Sequence, residues 1–335
     1  MCTNQFKVEG NQNIIPDIVC FVNGIPLAVI ECKSPYISAP MSEGIDQLRR
    51  YANIRNPEDH EGAEKLFWYN QLMISTCRDQ AKVGTISSSA AHYGDWKDAY
   101  PFTDQVLAKQ SLTNNVIDFR ATVDIEMPVN ALDNNEKLSQ LDRVAEPSAG
   151  YSPTPSYEDL TKVTAQQRLL AGMFSKGNFL DLLQNFIIFE TTDGRIIKKV
   201  ARYQQFRAVN KVIERLRTGK DRKEKSGVVW HTQGSGKSLT MVMLAVKMRR
   251  DTDLHKYKLV FITDRTQLDE QLSNTFRDAQ GDTIYNAGSV SQLKELLKKD
   301  SSDIVTAMVQ KFSDSRKRAR KTKNDYRRVR RLKPK

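Results

Sequence analysis

The apolar positions near the amino terminus predict a β-hairpin followed by a helix. The segments IIPDIVCFV and IPLAVIECK are rich in β-branched residues and are joined by Asn23-Gly24, a dipeptide typical of tight hairpins. The next apolar pattern, MSEGIDQLRRYANI, predicts a helix, and further strands are predicted at 66–75 and 81–87. We therefore expect a mixed α/β unit in this half of the chain.

The pattern changes in the second half, where strands and helices alternate. Helical spacing is found over 165–190 and again over 199–218. Beyond these, the pattern predicts strands at 227–230, 258–263, 282–285 and 303–308, with helices at 238–250, 266–276 and 290–299. Such alternation is typical of a parallel α/β sheet that helices cover on both faces.

A segment rich in proline, serine and glycine separates these two regions. The stretch AEPSAGYSPTPSY has the composition of a linker. We predict a first domain over 1–144, the linker over 145–157, a connecting helical element over 158–198, a second α/β lobe over 199–312 and a basic tail over 313–335.

Charge is concentrated at the carboxyl end. The 335 residues carry a formal net charge of +12, and the segment after Ser315 holds most of it, because RKRARKTKNDYRRVRRLKPK has a single acidic residue. Such a run is more often a solvated, disordered end than a specific site, although it can bind phosphates without sequence preference.

Composition also indicates the compartment. No apolar stretch approaches the length of a membrane-spanning helix, no secretory leader is evident, and the four cysteines and four histidines lack zinc-ligand or disulfide-framework spacing. We expect a cytoplasmic protein without a membrane partner.

The first candidate site lies at the ends of the two hairpin strands. Asp17 precedes one strand, and Glu31 and Lys33 close the other, where residues two apart share a face. Two carboxylates are suitable ligands for Mg²⁺, and a lysine can orient a nucleophile or offset phosphate charge. On the following helix, Gln47 and Tyr51 are four residues apart and share a face. Together these residues favour a metal-dependent nuclease over a solvated strand end.

The pairing register of the hairpin decides whether this site can form. With strict two-residue pairing of Val22 with Ile25, Asp17 faces Ile30 and Glu31 lies on the other face. With one extra residue at Gly24, Val22 pairs with Pro26 and Asp17 falls opposite Glu31. We predict the bulged register.

The second candidate site is a glycine-rich loop. The sequence HTQGSGKS follows a predicted strand and precedes a predicted helix, so its backbone amides can bind phosphates at the helix terminus. Lys237 would reach the β and γ phosphates of ATP, and Ser238 would hold Mg²⁺. His231 occupies the position where the longer phosphate-loop pattern has its first glycine.

These residues, in this order, resemble the restriction (R) subunit of type I restriction enzymes. The stretches that carry the resemblance extend from Phe6 to Phe312 and include PDIVCFVNGIPLAVIECKSP, LFWYNQLMIST, KKVARYQQFRAVNKV, HTQGSGKSLTM, FITDRTQLDEQ and DIVTAMVQKF. The resemblance implies a restriction-endonuclease-like nuclease domain followed by a partial RecA-like ATP-binding lobe. It also implies ATP-dependent translocation and Mg²⁺-dependent cleavage of double-stranded DNA in a complex with modification and specificity subunits.

The resemblance assigns roles to individual residues. The implied nuclease set is Asp17, Glu31, Lys33, Gln47 and Tyr51, with Asp17, Glu31 and Ser238 holding metal. The implied ATP set is Gln205 as the adenine contact, with Thr232, Gly234, Ser235, Gly236, Lys237 and Ser238 as the phosphate loop. The implied DNA-backbone contacts are Asp264, Arg265 and Gln310.

One departure from the family changes what is expected of this chain alone. In the family, the segment after QKF leads to a D-E-A-H box and a second motor lobe, whereas here the basic tail follows. Three hypotheses therefore stay open: an R subunit or a portion of one, a catalytically incomplete fragment that binds nucleotide and DNA, and a nuclease that needs no ATP.

Overall fold

In the computed structural model, residues 1–10, 12–114, 162–192, 194–263 and 284–309 are described. The first region forms a six-stranded mixed sheet in which the strands follow chain order. Its strands are β1 (Cys2–Asn4), β2 (Ile18–Val22), β3 (Ile25–Cys32), β4 (Leu72–Cys77), β5 (Gln80–Gly84) and β6 (Gly94–Asp95). β3 and β4 are parallel and the other pairs are antiparallel. The predicted strand at 66–75 begins later, because residues Glu64–Phe67 form a short 3-10 helix.

The crossover between the parallel strands contains helix α1 (Pro40–Tyr51). Its buried residues recur at helical spacing and pack against one face of the sheet, with Ile45 and Leu48 beside Val29 and Met73. The opposite face packs against later parts of the chain, where Ile30 and Ile74 share a buried cluster with Phe206. The central strands are therefore buried on both faces.

Helices and a hairpin connect the first region to the second. α2 (Asp104–Asn114), α3 (Ala165–Phe174) and α4 (Lys176–Asn185) precede the antiparallel pair β7 (Ile187–Thr192) and β8 (Arg195–Val200). The prediction of one helical element over 165–190 is wrong for its last part, because the residues from Ile187 onward form β7, which pairs with β8. The predicted linker at 145–157 lies outside the described residues.

The second region begins with the amphipathic helix α5 (Tyr203–Thr218) and contains a parallel sheet. Its elements are α6 (Arg222–Lys225), α7 (Lys237–Arg250), β9 (Leu259–Thr263), β10 (Ile284–Asn286), α8 (Val290–Lys298) and β11 (Ile304–Met308). The strand order is β10-β11-β9, and both pairs are parallel as predicted. The predicted helix at 266–276 and the basic tail lie outside the described residues.

The prediction of a strand at 227–230 is wrong. Residues 227–230 have no strand assignment, and Val228 and Trp230 are 94% and 81% exposed. A short segment becomes a stable strand only when a neighbour pairs its backbone and covers its side chains. Among the described strands of this sheet, β9 pairs only with β11, and neither joins residues 227–230.

Candidate functional site

The register of the first hairpin places Asp17 across from Glu31. Ile18 pairs with Ile30, so the next residues along the two strands are Asp17 and Glu31. Directly opposed residues of an antiparallel pair project on the same face of the sheet. The hairpin therefore brings the two predicted carboxylates to one side.

The irregularity that produces this register lies farther from the turn than predicted. Asn23 and Gly24 have φ values of 52° and 81°, and the turn closes with Val22 paired to Ile25. Phe21 pairs with Pro26, but the preceding residue Cys20 pairs with Ala28, so Leu27 is the extra residue of the bulge. Our placement of the bulge at Gly24 was wrong. Both turn residues accept positive φ, so the tight turn needs no bulge, and Pro26 has no N–H to continue the ladder.

The two carboxylates have different surroundings. Asp17 accepts hydrogen bonds through Oδ2 from the backbone N–H of Cys32 (2.8 Å) and through Oδ1 from Gln5 Nε2 (3.0 Å). Glu31 is only 2% exposed, and its Oε1 lies 3.1 Å from Lys33 Nζ. Its Oε2 is buried and has no hydrogen-bond partner among the described residues. Burial raises the pKa of Glu31 from 4.5 to about 7, the negative charge of Asp17 adds to this, and Lys33 opposes it.

A chain of polar contacts connects Lys33 to helix α1. Lys33 Nζ donates to Gln47 Oε1, and Gln47 Nε2 donates to the hydroxyl of Tyr51. Tyr51 in turn donates to the backbone oxygen of Ile15 (3.3 Å), next to the segment that carries Asp17. Burial raises the pKa of Tyr51. The structure thus brings together all five residues that the sequence proposed for this site.

Two contributors to this site were missed by sequence reasoning. Gln5, which directly follows β1, donates a hydrogen bond to Asp17. Gly44 lets α1 approach β4, since a β-carbon at Gly44 would overlap the hydroxyl of Ser75. The buried Ser75 lies beside Glu31 in the β3–β4 pair. A glycine inside an otherwise regular helix was the only signal in the sequence that a close approach occurs there.

The residues present fit a hard divalent cation. Two carboxylates lie on one face, and the buried Oε2 of Glu31 receives no hydrogen bond from the described residues, which is costly unless a cation or proton compensates it. Within the described ranges, no three His, Cys, Asp or Glu side chains form a metal-binding group. The remaining ligands would therefore come from backbone oxygens, water or a phosphate group.

The glycine-rich loop leads directly into helix α7. Gly234 and Gly236 have φ values of 75° and 82°, which favour glycine, and α7 begins at Lys237. The carbonyl oxygen of Thr232 accepts bonds from Ser235 Oγ (2.7 Å) and Lys237 Nζ (2.8 Å). Ser238 lies in the first turn of α7. Backbone amides at this helix start are suited to bind an anion.

Gln205 links helix α5 to this loop. Its Oε1 accepts from the backbone N–H of Arg202 (2.9 Å), and its Nε2 donates to the carbonyl oxygen of Gly236 (3.0 Å). The side chain is 3% exposed, and a β-carbon at Gly236 would lie 2.6 Å from Nε2. The side-chain amide of Gln205, predicted to contact adenine, therefore supports the glycine-rich loop in this structure.

A cleft of about 390 Å³ lies beside the loop. Its lining includes Tyr203, Arg207, Trp230 and Thr232, together with Asp98 from the first region. Arg207 and Asp98 form an ion pair across the cleft wall (2.7 Å). The three predicted DNA contacts, Asp264, Arg265 and Gln310, lie outside the described residues.

Comparison with known proteins gives two family matches. Residues 1–92 match the family model for the type I restriction enzyme R protein N terminus, and residues 204–331 match the SWI2/SNF2 ATPase model. The first region is thus similar to the amino-terminal part of R proteins, and the second is similar to a helicase-like ATPase.

Curated relatives agree with these matches. The chain is 28% identical to the putative type I restriction enzyme MjaIXP endonuclease subunit of Methanocaldococcus jannaschii, over 97% of this chain and 27% of that protein. It is 28% identical to the HindI endonuclease subunit of Haemophilus influenzae, over 93% of this chain and 25% of that protein. A further relative from M. jannaschii, the putative MjaVIIIP endonuclease subunit, is 29% identical over 88% of this chain and 23% of the relative.

The chain is therefore related to the endonuclease subunits of type I restriction enzymes, which confirms the resemblance found in its motifs. It spans about a quarter of the length of these relatives. In the part of the chain that the structure describes, no helix has the length and apolar character needed to cross a bilayer.

Proposed function

We propose that this chain supplies the nuclease site and the ATP-binding loop of a type I restriction subunit. In this proposal, the first region has a restriction-endonuclease-like fold and the second is a partial RecA-like lobe. The observation that carries the nuclease part is the register of β2 and β3, which places Asp17 opposite Glu31, with Lys33 on the same strand end. The matches to the R protein amino terminus and to the SWI2/SNF2 ATPase support the combination.

Asp17 and Glu31 would hold Mg²⁺ against the phosphodiester that is cut. When bound, the metal would supply charge stabilisation and a water of lowered pKa. Glu31 has a buried oxygen free to act as a ligand, and Asp17 is oriented by the amide of Cys32. A buried Glu31 with a raised pKa becomes a better ligand once it ionises, so we expect Mg²⁺ affinity to rise with pH through about 7.

Lys33 would hold the nucleophilic water or offset the charge of the phosphate. Gln47 contacts Lys33 and Tyr51 contacts Gln47, so these two side chains would restrict the ammonium group to one position. A fixed donor is more effective than a mobile one, because less reorganisation is needed when charge develops in the reaction.

The loop from Thr232 to Ser238 would bind the phosphates of ATP. Gly234 and Gly236 give the loop its positive φ values. Lys237, which donates to the carbonyl of Thr232 in the structure, would donate to a phosphate instead. Ser238 would offer its hydroxyl to the Mg²⁺ that accompanies ATP. Asp264, Arg265 and Gln310 stay proposed contacts to the DNA backbone.

The proposed partners are double-stranded DNA and the modification and specificity subunits of the complex. The relatives are named as subunits, which supports an assembly. Because the chain covers about a quarter of their length, we propose translocation for the assembled enzyme and only metal, DNA and ATP binding for this chain alone.

A cleavage assay on linear and circular DNA tests the nuclease proposal. The full chain, alone and with modification and specificity subunits, is incubated with Mg²⁺ in the presence and absence of ATP. We expect Asp17→Ala to lower cleavage at least ~100-fold, and the matched control Glu9→Ala, at an exposed acid of the same region, to leave it unchanged. Cleavage that survives Asp17→Ala would contradict the site.

Substitution of Lys237 separates the open hypotheses. If cleavage requires the added subunits and is lost in Lys237→Ala, the chain acts as a restriction subunit. If the chain alone cleaves DNA and still does so in Lys237→Ala, it is an ATP-independent nuclease. Mg²⁺ and ATP binding without cleavage in either setting supports an incomplete binding fragment. ATP binding that is equal in the wild type, Lys237→Ala and the exposed control Lys223→Ala would contradict the loop assignment.

A further inference from the structure

Two cysteine side chains meet on neighbouring strands of the first sheet. Cys2 and Cys20 are directly paired in the antiparallel ladder of β1 and β2, and their sulfur atoms lie 2.9 Å apart. Both cysteines are free thiols in the structure. An S–S bond is about 2.05 Å long, so the two sulfur atoms need to approach by less than about 1 Å to form one.

The backbone at this pair has the geometry that a cross-strand disulfide requires. Met1 and Phe21 exchange two backbone hydrogen bonds, of 2.7 and 3.0 Å. Bonded and non-bonded pairs alternate along an antiparallel ladder, which makes Cys2 and Cys20 a non-hydrogen-bonded pair with Cα atoms about 4.5 Å apart. Disulfides occur at Cα separations from about 4.4 Å upwards.

The two thiols differ in access. Cys2 is exposed, whereas Cys20 is only 6% exposed and packs in the buried cluster with Ala28 and Ile30. The hydrogen bond between the two thiols lowers the pKa of Cys2 to about 6 and raises the pKa of Cys20. Cys2 therefore has the exposure and the thiolate character of an attacking group, and Cys20 is placed to react second.

We propose that Cys2 and Cys20 form a reversible disulfide when the oxidant is a low-molecular-weight disulfide such as oxidised glutathione. The Cys2 thiolate attacks one sulfur of the oxidant, which forms a mixed disulfide and releases one glutathione thiolate. Cys20 then attacks the Cys2 sulfur, releases the second glutathione and gives up its proton to it. The protein loses two electrons and two protons, and oxidised glutathione becomes two molecules of reduced glutathione.

The bond would fix β1 along the strand that leads to Asp17. Cys20 is the residue at which the β2–β3 register shifts, and Asp17 lies three residues before it. At the other end of the β1–β2 contact, Gln5 bonds Asp17 through both its side chain (3.0 Å) and its backbone N–H (2.9 Å). Cys20 projects on the face opposite the carboxylates, so the disulfide stabilises this edge without blocking the metal site.

Peptide mapping after oxidation tests this proposal. The full chain is incubated with excess oxidised glutathione, blocked with a maleimide and digested with trypsin, which separates residues 1–7 from residues 8–33. We expect these two peptides to be recovered as one linked species in wild type and in Cys32→Ser, the control for the other cysteine in the second peptide. We expect no linked species in Cys2→Ser, an exposed substitution that leaves the buried cluster intact.

A melting measurement adds a second readout. Closing the loop between residues 2 and 20 should raise the Tm of oxidised wild type by about 5 °C, and dithiothreitol should reverse the rise. Glutathione attached to Cys2 as the end product would overturn the proposal, as would a linkage that survives Cys2→Ser. So would a linked wild-type species whose Tm equals that of the reduced protein.

Discussion

The two candidate sites of this molecule are held in different ways. The carboxylate site is formed by side chains from paired strands and from α1, so Glu31 and Tyr51 are almost fully buried. The phosphate loop is largely exposed, and its contacts include local bonds to the carbonyl of Thr232 and bonds to the carbonyl of Gly236 from Gln205 and from Thr240 Oγ1 (3.2 Å). Packing therefore positions the first site, whereas backbone conformation at glycines and a few hydrogen bonds position the second.

Substitution of Gly44 tests the packing of the first site and should have the largest effect on stability. In Gly44→Ala the added carbon overlaps Ser75 Oγ and lies 3.4 Å from Lys33 Cγ, so α1 must move away from β4. We expect a loss of ~1–3 kcal/mol in the free energy of unfolding, measured by urea denaturation, and weaker Mg²⁺ binding. The control Gly94→Ala has open space at its β-carbon and should cost less than ~0.5 kcal/mol. Equal effects of the two variants would show that α1 is not tightly docked.

The first site shows how far sequence alone reaches. Two-residue periodicity placed Glu31 and Lys33 on one face, and four-residue spacing placed Gln47 and Tyr51 together, because both are properties of a single element. The bulge at Leu27 depends on how two strands pair around Pro26, and its presence was inferred only from the need to bring Asp17 and Glu31 together. Its position could not be obtained from either strand separately.

The second region shows more clearly which features a sequence alone cannot predict. Helix α7 and the strands β9 and β11 follow from local apolar patterns and were predicted within about two residues. Residues 227–230 have a strand-like composition but are exposed, since a strand needs a partner and composition does not reveal whether one is available. The contact of Gln205 with Gly236 joins positions that are 31 residues apart, and no periodicity in the sequence reports such a contact.

Substitution of Gln205 tests the support of the second site. Gln205→Ala removes the donor to the carbonyl of Gly236 and the acceptor for the N–H of Arg202. We expect ATP affinity to fall about 5- to 10-fold, as for the loss of one net hydrogen bond, with a small change in Tm. Titration with a fluorescent ATP analogue measures this.

The matched control for Gln205 is Gln292→Ala in α8, which removes a similar contact to a backbone N–H (2.8 Å, from Gly288). ATP affinity should be unchanged in that variant. If Gln205→Ala also retained wild-type ATP affinity, the contact of Gln205 with Gly236 would not be needed to hold the loop in its binding conformation.

The pH dependence of stability tests the burial of Glu31. The pKa of Glu31 in the folded protein, about 7, is above its ordinary value of 4.5. Between these values the folded protein keeps a proton that the unfolded chain releases, so the contribution of Glu31 to stability falls as pH rises through this range. Glu31→Gln cannot ionise and escapes this loss. In the presence of a chelator, we expect the free energy of unfolding of Glu31→Gln to gain on wild type by roughly 2 kcal/mol between pH 5 and pH 8.

The slope with pH is the informative quantity, because Glu31→Gln also removes the negative charge that pairs with Lys33 at 3.1 Å. This loss shifts the free energy of unfolding by an amount that does not follow the Glu31 titration. The control Glu58→Gln, at an exposed carboxyl, should run parallel to wild type. Parallel profiles for Glu31→Gln and wild type would mean that Glu31 ionises like an exposed acid and that β3 does not bury it. Added Mg²⁺ should stabilise wild type more at pH 8 than at pH 5, since only the ionised carboxylate is a good ligand, and should stabilise Glu31→Gln less at either pH.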